Sequence, residues 1–187
     1  MPFRHDFVEA LKILAGASDD LVAQGHHRPI LVGGAAVEFY TGGAVCSGDF
    51  DIVTPSGAAL EAALLARGFK KEDRAGWLAR GYYHPELAIG VEVVGGVLFE
   101  GRGDPARVRL VEVAPKEKVA FVAIEDLIAD RMGQFRSAPR GVREMLEQAA
   151  MLLRLAESAD EAYLDRRIRE ETSGECDLAF LKARVVQ

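Results

Sequence analysis

The run Ile30-Leu-Val-Gly-Gly-Ala-Ala-Val-Glu-Phe-Tyr40 is followed, after a glycine-rich turn, by Cys46-Ser-Gly-Asp-Phe-Asp-Ile-Val-Thr54, and this stretch decides how the chain reads. A short apolar segment ending in Gly33-Gly34 is a buried strand that stops where the backbone must bend sharply or approach something closely, and the residues after it can open a helix. In the next strand a period of two puts Asp49 and Asp51 on one face and Phe50 and Ile52 on the other. One face is core, and the other holds paired charge. Two carboxylates so close repel each other unless a cation sits between them, and Mg²⁺ is the hard cation that oxygen ligands favour.

Upstream, Phe7, Val8, Leu11, Leu14, Leu21 and Val22 recur at helical spacing between Asp6 and Gln24, with Asp19 and Asp20 placed to begin a second helical turn after Gly16. His26 and His27 are neighbours on a turn and point apart with no third ligand nearby, so they are not read as a metal pair. Between the two quoted strands, Ala35 to Tyr40 forms a short helix closed by Thr41-Gly42-Gly43. This segment is too short for a full parallel crossover, which leaves the orientation of the strand pair open. A further helix runs from Ala58 to Ala66 and stops at Gly68, so the order strand, helix, strand, helix opens an α/β sheet.

Further on, Phe69 to His84 alternates charged and aromatic groups around Trp77, Tyr82 and Tyr83, as one or two short strands do; the aromatics read as packing rather than as base-stacking groups. In the strand at Ala88 to Val94, Ile89, Val91 and Val93 share one face and Gly90 and Glu92 the other, which leaves a single carboxylate in mid-strand. Arg107 to Val113 and Val119 to Val122 close the sheet. The rest is helical. Ile124, Leu127, Ile128 and Met132 form an apolar stripe on which Arg131 also falls, and a charge there needs a partner. A helix after Pro139 packs through Met145, Leu146, Ala149, Leu152 and Leu153, with Arg140, Arg143 and Glu147 along one flank. Two more helices, separated at Thr172-Ser173-Gly174, end the chain. The expected fold class is α+β (α/β): a mixed sheet of about four to five strands with flanking helices over residues 1–122, then a C-terminal helical region, 123–187, packed on it.

The 187 residues suffice for a sizeable core, and a net charge of −6 argues against a broad nucleic-acid-binding surface. Cys46 and Cys176 have no metal-ligand or disulfide spacing around them and read as reduced thiols, with Cys46 a small buried residue. No apolar run approaches the length of a membrane span and no signal-peptide centre is seen, so a cytoplasmic location is expected.

At Gly33, Gly34, Asp49 and Asp51 the sequence resembles the nucleotidyltransferase superfamily of the polymerase-β-like fold, whose pattern is a Gly-Gly or Gly-Ser turn, a helix and then Asp-x-Asp/Glu on the next strand. Val32-Gly-Gly-Ala-Ala with Ser47-Gly-Asp-Phe-Asp-Ile-Val53 looks more narrowly like the AbiEii-type toxin branch, whose members often carry Ser or Thr two residues before the first Asp. The resemblance implies an Mg²⁺-dependent transfer of a nucleoside monophosphate from an NTP to a hydroxyl of RNA, protein or a small molecule. It implies Asp49, Asp51 and Glu92 as catalytic and metal-holding carboxylates, and Gly33, Gly34, Ser47, Arg131 and Arg143 as nucleotide-binding residues. Where related proteins carry a Lys and then a basic-Asp-x-x-Asp run, this chain has Arg131 and then Arg143, Glu144 and Glu147, so Arg stands for Lys and Glu for Asp. Those exchanges favour an alternative, a non-catalytic binding or antitoxin partner protein of a toxin-antitoxin pair that keeps the fold; the intact carboxylate set favours catalysis.

Overall fold

A computed structural model describes residues 3–72, 81–87, 89–139 and 141–185. It forms two compact units: Met1–Glu38 with Gly42–Val122, and Phe39–Thr41 with Ala123–Gln187. The elements of the first are α1 (His5–Ala23), β1 (Ile30–Val32), α2 (Gly33–Tyr40, whose last residues belong to the second unit), β2 (Asp49–Val53), α3 (Gly57–Leu65), β3 (Lys70–Lys71), β4 (Gly81–Tyr83), β5 (Gly90–Gly95), β6 (Arg109–Ala114) and β7 (Glu117–Phe121). Two 3₁₀ turns, Leu98–Gly101 and Pro105–Arg107, lie between β5 and β6.

The strands form one mixed sheet in the order β3-β4-β5-β2-β1-β7-β6. Seven strands among the described residues exceed the four to five expected; the stretch read as one or two short strands, Phe69 to His84, supplies both β3 and β4, two and three residues long. The pair left open in the sequence is antiparallel, Val32 opposite Asp51, whereas β2 runs parallel to β5 and β1 parallel to β7. Alternation then divides the sheet. Leu31, Phe50, Ile52, Val91, Val119 and Phe121 are buried on the face that α1 covers, where Phe7 meets Phe50 edge-on at 5.4 Å. Burying one such side chain stabilises by roughly 1.5–3 kcal/mol, so this face carries the unit's core.

Helix α1 runs unbroken through Gly16, where the sequence offered a new turn; the Arg67 guanidinium lies over that glycine and reaches Asp20 at 2.7 Å. Tyr82 is buried and donates its hydroxyl to Glu61 at 2.7 Å, which makes it a packing residue; Trp77 lies outside the described residues.

The second unit contains α4 (Ile124–Ser137), α5 (Glu144–Leu155), α6 (Glu161–Glu171) and α7 (Leu178–Val185). Its interior includes a charged cluster. Arg167, fully buried, donates to Asp126 at 2.6 Å, Glu170 at 2.8 Å and Glu171 at 2.7 Å, and the Tyr163 hydroxyl donates to Asp126 at 2.9 Å. Burial opposes the charge on Arg167, but the bonds to the three acids outweigh it and hold the guanidinium above its ordinary pKa. Helix α5 starts at Glu144, later than expected, the Val142 N–H donating back to the Pro139 carbonyl at 3.2 Å before it; Arg143 is therefore a cap residue and not part of the helix flank, and Arg140 lies outside the described residues. Among the described residues no helix is long and apolar enough to cross a membrane.

Candidate functional site

The second face of the sheet carries the acids. Asp51 is paired in register with Val32 of β1 on one side and Glu92 of β5 on the other, and Asp49 with Gly90. In-register residues of neighbouring strands share a face, so Asp49, Asp51 and Glu92 lie together on the face opposite Phe50. Asp49 and Glu92 are exposed and Asp51 is half-buried.

Three glycines clear the backbone around these acids. Gly33 begins α2 directly at the end of β1 with φ +63°, and a Cβ there would collide with the Asp51 carboxylate, so both conformation and space require glycine. A Cβ on Gly34 would stand 2.7 Å from Ser47 Oγ, and one on Gly90 2.5 Å from Asp49 Oδ1. The carboxylates therefore lean to opposite neighbours: Asp51 over the turn after β1, and Asp49 over β5.

Among the described residues no group of three His, Cys, Asp or Glu side chains stands ready to hold a metal ion. The donor set nevertheless suits a hard divalent cation in kind. Three carboxylates share one face, Asp51 and Glu92 are in direct register, and the adjoining backbone is free of side chains at Gly33, Gly34 and Gly90.

Ser47 closes the turn before β2, its hydroxyl donating to the Asp49 carbonyl at 2.9 Å. Its backbone N–H donates to Glu38 Oε2 at 2.7 Å, and Arg4 donates to both oxygens of Glu38, at 3.0 and 2.8 Å, and to the Ser47 carbonyl. Glu38 is fully buried on α2, and its hydrogen bond holds the Arg4 pKa above the ordinary value. This clamp fixes the Ser47 turn against the helix that Gly33 opens. Sequence reasoning passed over it, although a lone acid after Ala35-Ala36-Val37 on a short helix of small residues was its signal. Cys46, expected to be buried, is exposed beside this turn; Cys176 is buried, and burial raises its thiol pKa.

The two arginines belong to the helical unit. Arg131 is buried, as its place on the stripe required, and its partner is the adjacent Asp130, which accepts at 2.8 and 3.2 Å; its third donor lies 3.4 Å from Met145 Sδ. Burial raises the Asp130 pKa despite this cation. Arg143 is exposed at the start of α5, as are Glu144 and Glu147.

This architecture, a mixed sheet with a glycine turn opening a helix beside an Asp-x-Asp strand and helices following, is that of the nucleotidyltransferase-like fold. A nucleotidyltransferase-like antigenic protein from Paracoccidioides brasiliensis superimposes with a TM-score of 0.61 at 16% identity, over 98% of this chain and 95% of its own. The antibiotic-resistance factor ANT(2″)-Ia in solution gives 0.57 at 11% identity, over 94% and 96%, and its crystal structure in complex with adenylyl-2″-tobramycin gives 0.60 at 14% identity, over 92% and 100%. At these identities the likeness is one of fold. No family model matches the chain, and no curated protein does.

Proposed function

We propose that this protein transfers a nucleoside monophosphate from an NTP to a hydroxyl group. The observation that carries the reading is the abutment of Gly33 on Asp51, which sets an open helix start against a carboxylate face with no side chain between them. Backbone N–H groups of Gly33 and Gly34, with the Ser47 hydroxyl, are assigned to the outer phosphates. Asp49, Asp51 and Glu92 would hold Mg²⁺, which when bound supplies a Lewis acid to the phosphates. Glu92 is assigned to take the proton of the acceptor hydroxyl as its oxygen bonds to the α-phosphorus; the bond from that phosphorus to the bridging oxygen breaks, and pyrophosphate leaves with the electron pair. For Arg131 and Arg143, binding of phosphate charge is proposed on the sequence resemblance alone.

The adenylylated aminoglycoside held by ANT(2″)-Ia supports a small-molecule acceptor here, whereas the AbiEii-type resemblance supports RNA or protein and a toxin-antitoxin setting. The divergent lean of Asp49 and Asp51 supports the second reading, a partner protein that keeps the fold without the chemistry. Calorimetric titration with ATP, GTP, CTP and UTP, with and without Mg²⁺, separates the two. Mg²⁺-dependent binding that disappears in Asp49→Asn is the outcome expected of the enzyme; no binding of any nucleotide by a folded protein would rule it out.

A further inference from the structure

Two residues beyond Asp51, about 6.6 Å at the usual strand rise, the acidic face turns apolar at Val53. Register joins Val53 to Ile30, Ile30 to Ala120 and Ala120 to Leu110, so four apolar residues from β2, β1, β7 and β6 continue the face that bears the acids. They floor a cavity of about 750 Å³, walled by the chain between β5 and β6. That wall is held in an uncommon conformation: Phe99, Glu100 and Gly101 have φ of 47°, 57° and 89°, three left-handed residues in succession of which two are not glycine. Each such non-glycine residue costs about 1–2 kcal/mol. The turn they make buries Leu98 at 4% exposure while Val97 stays 63% exposed at the rim.

We infer that this cavity binds the acceptor of the proposed transfer, and that the acceptor is a small uncharged molecule with an apolar ring system and a hydroxyl; the acceptor role rests on the nucleotidyl-transfer reading above. The volume lies in the range of small-molecule sites. Among the described residues no carboxylate lines the cavity, so a polycation gains nothing from them. The guanidinium of Arg28 in the lining is engaged by the Lys118 carbonyl at 2.7 Å and by Asp19 at 2.5 Å, so it makes no call on a phosphate. Exposed His27 supplies a polar group at the mouth. A neutral apolar body pays no desolvation cost in such a lining, whereas a charged one does. Val53 and Ile30 stand one strand repeat from Asp51 and Val32 on the same face, so the hydroxyl of a molecule that extends from the cavity along that face is directed toward the carboxylates.

The test uses 2-naphthol as probe in a fluorescence titration of the full chain, against Leu110→Glu and Val97→Glu, two exposed positions where the charge enters the cavity without disturbing the core. Circular dichroism checks that both variants fold. Saturable one-to-one binding by the wild type, weakened about tenfold or more in each variant, is expected. Absence of saturable binding, equal binding in all three proteins, or self-association of the wild type that Leu110→Glu abolishes without any probe binding would overturn the inference. ATP titrated separately into wild type and Asp49→Asn tells the two readings apart. ATP binding that depends on Asp49 beside a failed probe titration sinks the cavity's role alone. ATP binding that is absent or indifferent to Asp49 removes the acceptor role, even where the probe binds.

Discussion

Asp126 in the helical unit and Asp49 in the sheet unit are aspartates treated in opposite ways. Asp126 is fully buried and accepts from Arg167 and from the Tyr163 hydroxyl, so its charge is spent inside the fold. Asp49 stands exposed on a strand with Asp51 and Glu92 on the same face and a glycine cleared beside it. A carboxylate that the chain surrounds with its own donors holds structure together. Carboxylates massed on an open face repel one another and, among the described residues, have no cation of the chain's own beside them in the sheet pairing, and the contrast separates an acid that the fold satisfies from acids that it leaves open to solvent.

The sharpest way to break the contrast is Arg167→Ala, which leaves Asp126 buried without its cation and should cost about 3–5 kcal/mol in a urea melt. A cost below about 1 kcal/mol would put Asp126 in the same class as the open acids. Next comes Glu38→Ala, which removes a buried acceptor of charge-assisted bonds and should cost about 2–3 kcal/mol while also loosening the Ser47 turn, read as weaker nucleotide binding at temperatures where the protein stays folded. Arg131→Ala should weaken a nucleoside triphosphate by about 2 kcal/mol and leave a nucleoside nearly unchanged; equal loss for both would assign Arg131 to Asp130 alone. Asp49→Asn should leave stability unchanged or raise it by up to about 0.5 kcal/mol, since it relieves repulsion between neighbouring acids, and thermal melting without ligand checks this. The smallest effect concerns Asp165, whose pKa the Arg169 hydrogen bond and the Leu178 backbone N–H lower. A lowered carboxylate pKa gives stability that is present above the ordinary Asp range and is lost as pH falls through the folded value. Asp165→Asn should therefore flatten the acid side of a stability-against-pH curve slightly.

Much of the sheet's centre was legible because its signals are local. The period of two at Asp49-Phe50-Asp51 and at Val91-Glu92-Val93 assigned faces correctly, and the chain of pairings then put the acids side by side. The edge strands were read as segments, one or two between Phe69 and His84 and one at Arg107 to Val113, but the expected sheet of four to five strands did not count them all: nothing local tells whether a strand as short as Lys70-Lys71 joins the sheet. Long-range satisfaction was the harder part. Nothing local says that Glu38 takes Arg4 and the Ser47 turn, or that Arg131 is answered by the residue before it: consecutive side chains on a helix diverge, and only the length of the arginine lets it fold back. The nucleotidyltransferase-like fold was readable from Gly33-Gly34 and Asp49-x-Asp51, whereas the exchange of Lys for Arg131 and of Asp for Glu144 and Glu147 left the helical unit without a literal match.

The Arg4 clamp has a practical side. Arg4 precedes α1, yet its guanidinium closes on Glu38 and on a carbonyl forty-three positions away, at the turn that carries Ser47. The core contacts of α1 begin only at Phe7. A protein trimmed to start at His5 would keep every buried side chain of that helix and lose the cation that balances Glu38. It should pass the usual checks of a good preparation, a single peak and native circular dichroism, while its Ser47 turn drifts. A titration on a clipped sample would then report on a loosened turn and not on the native one.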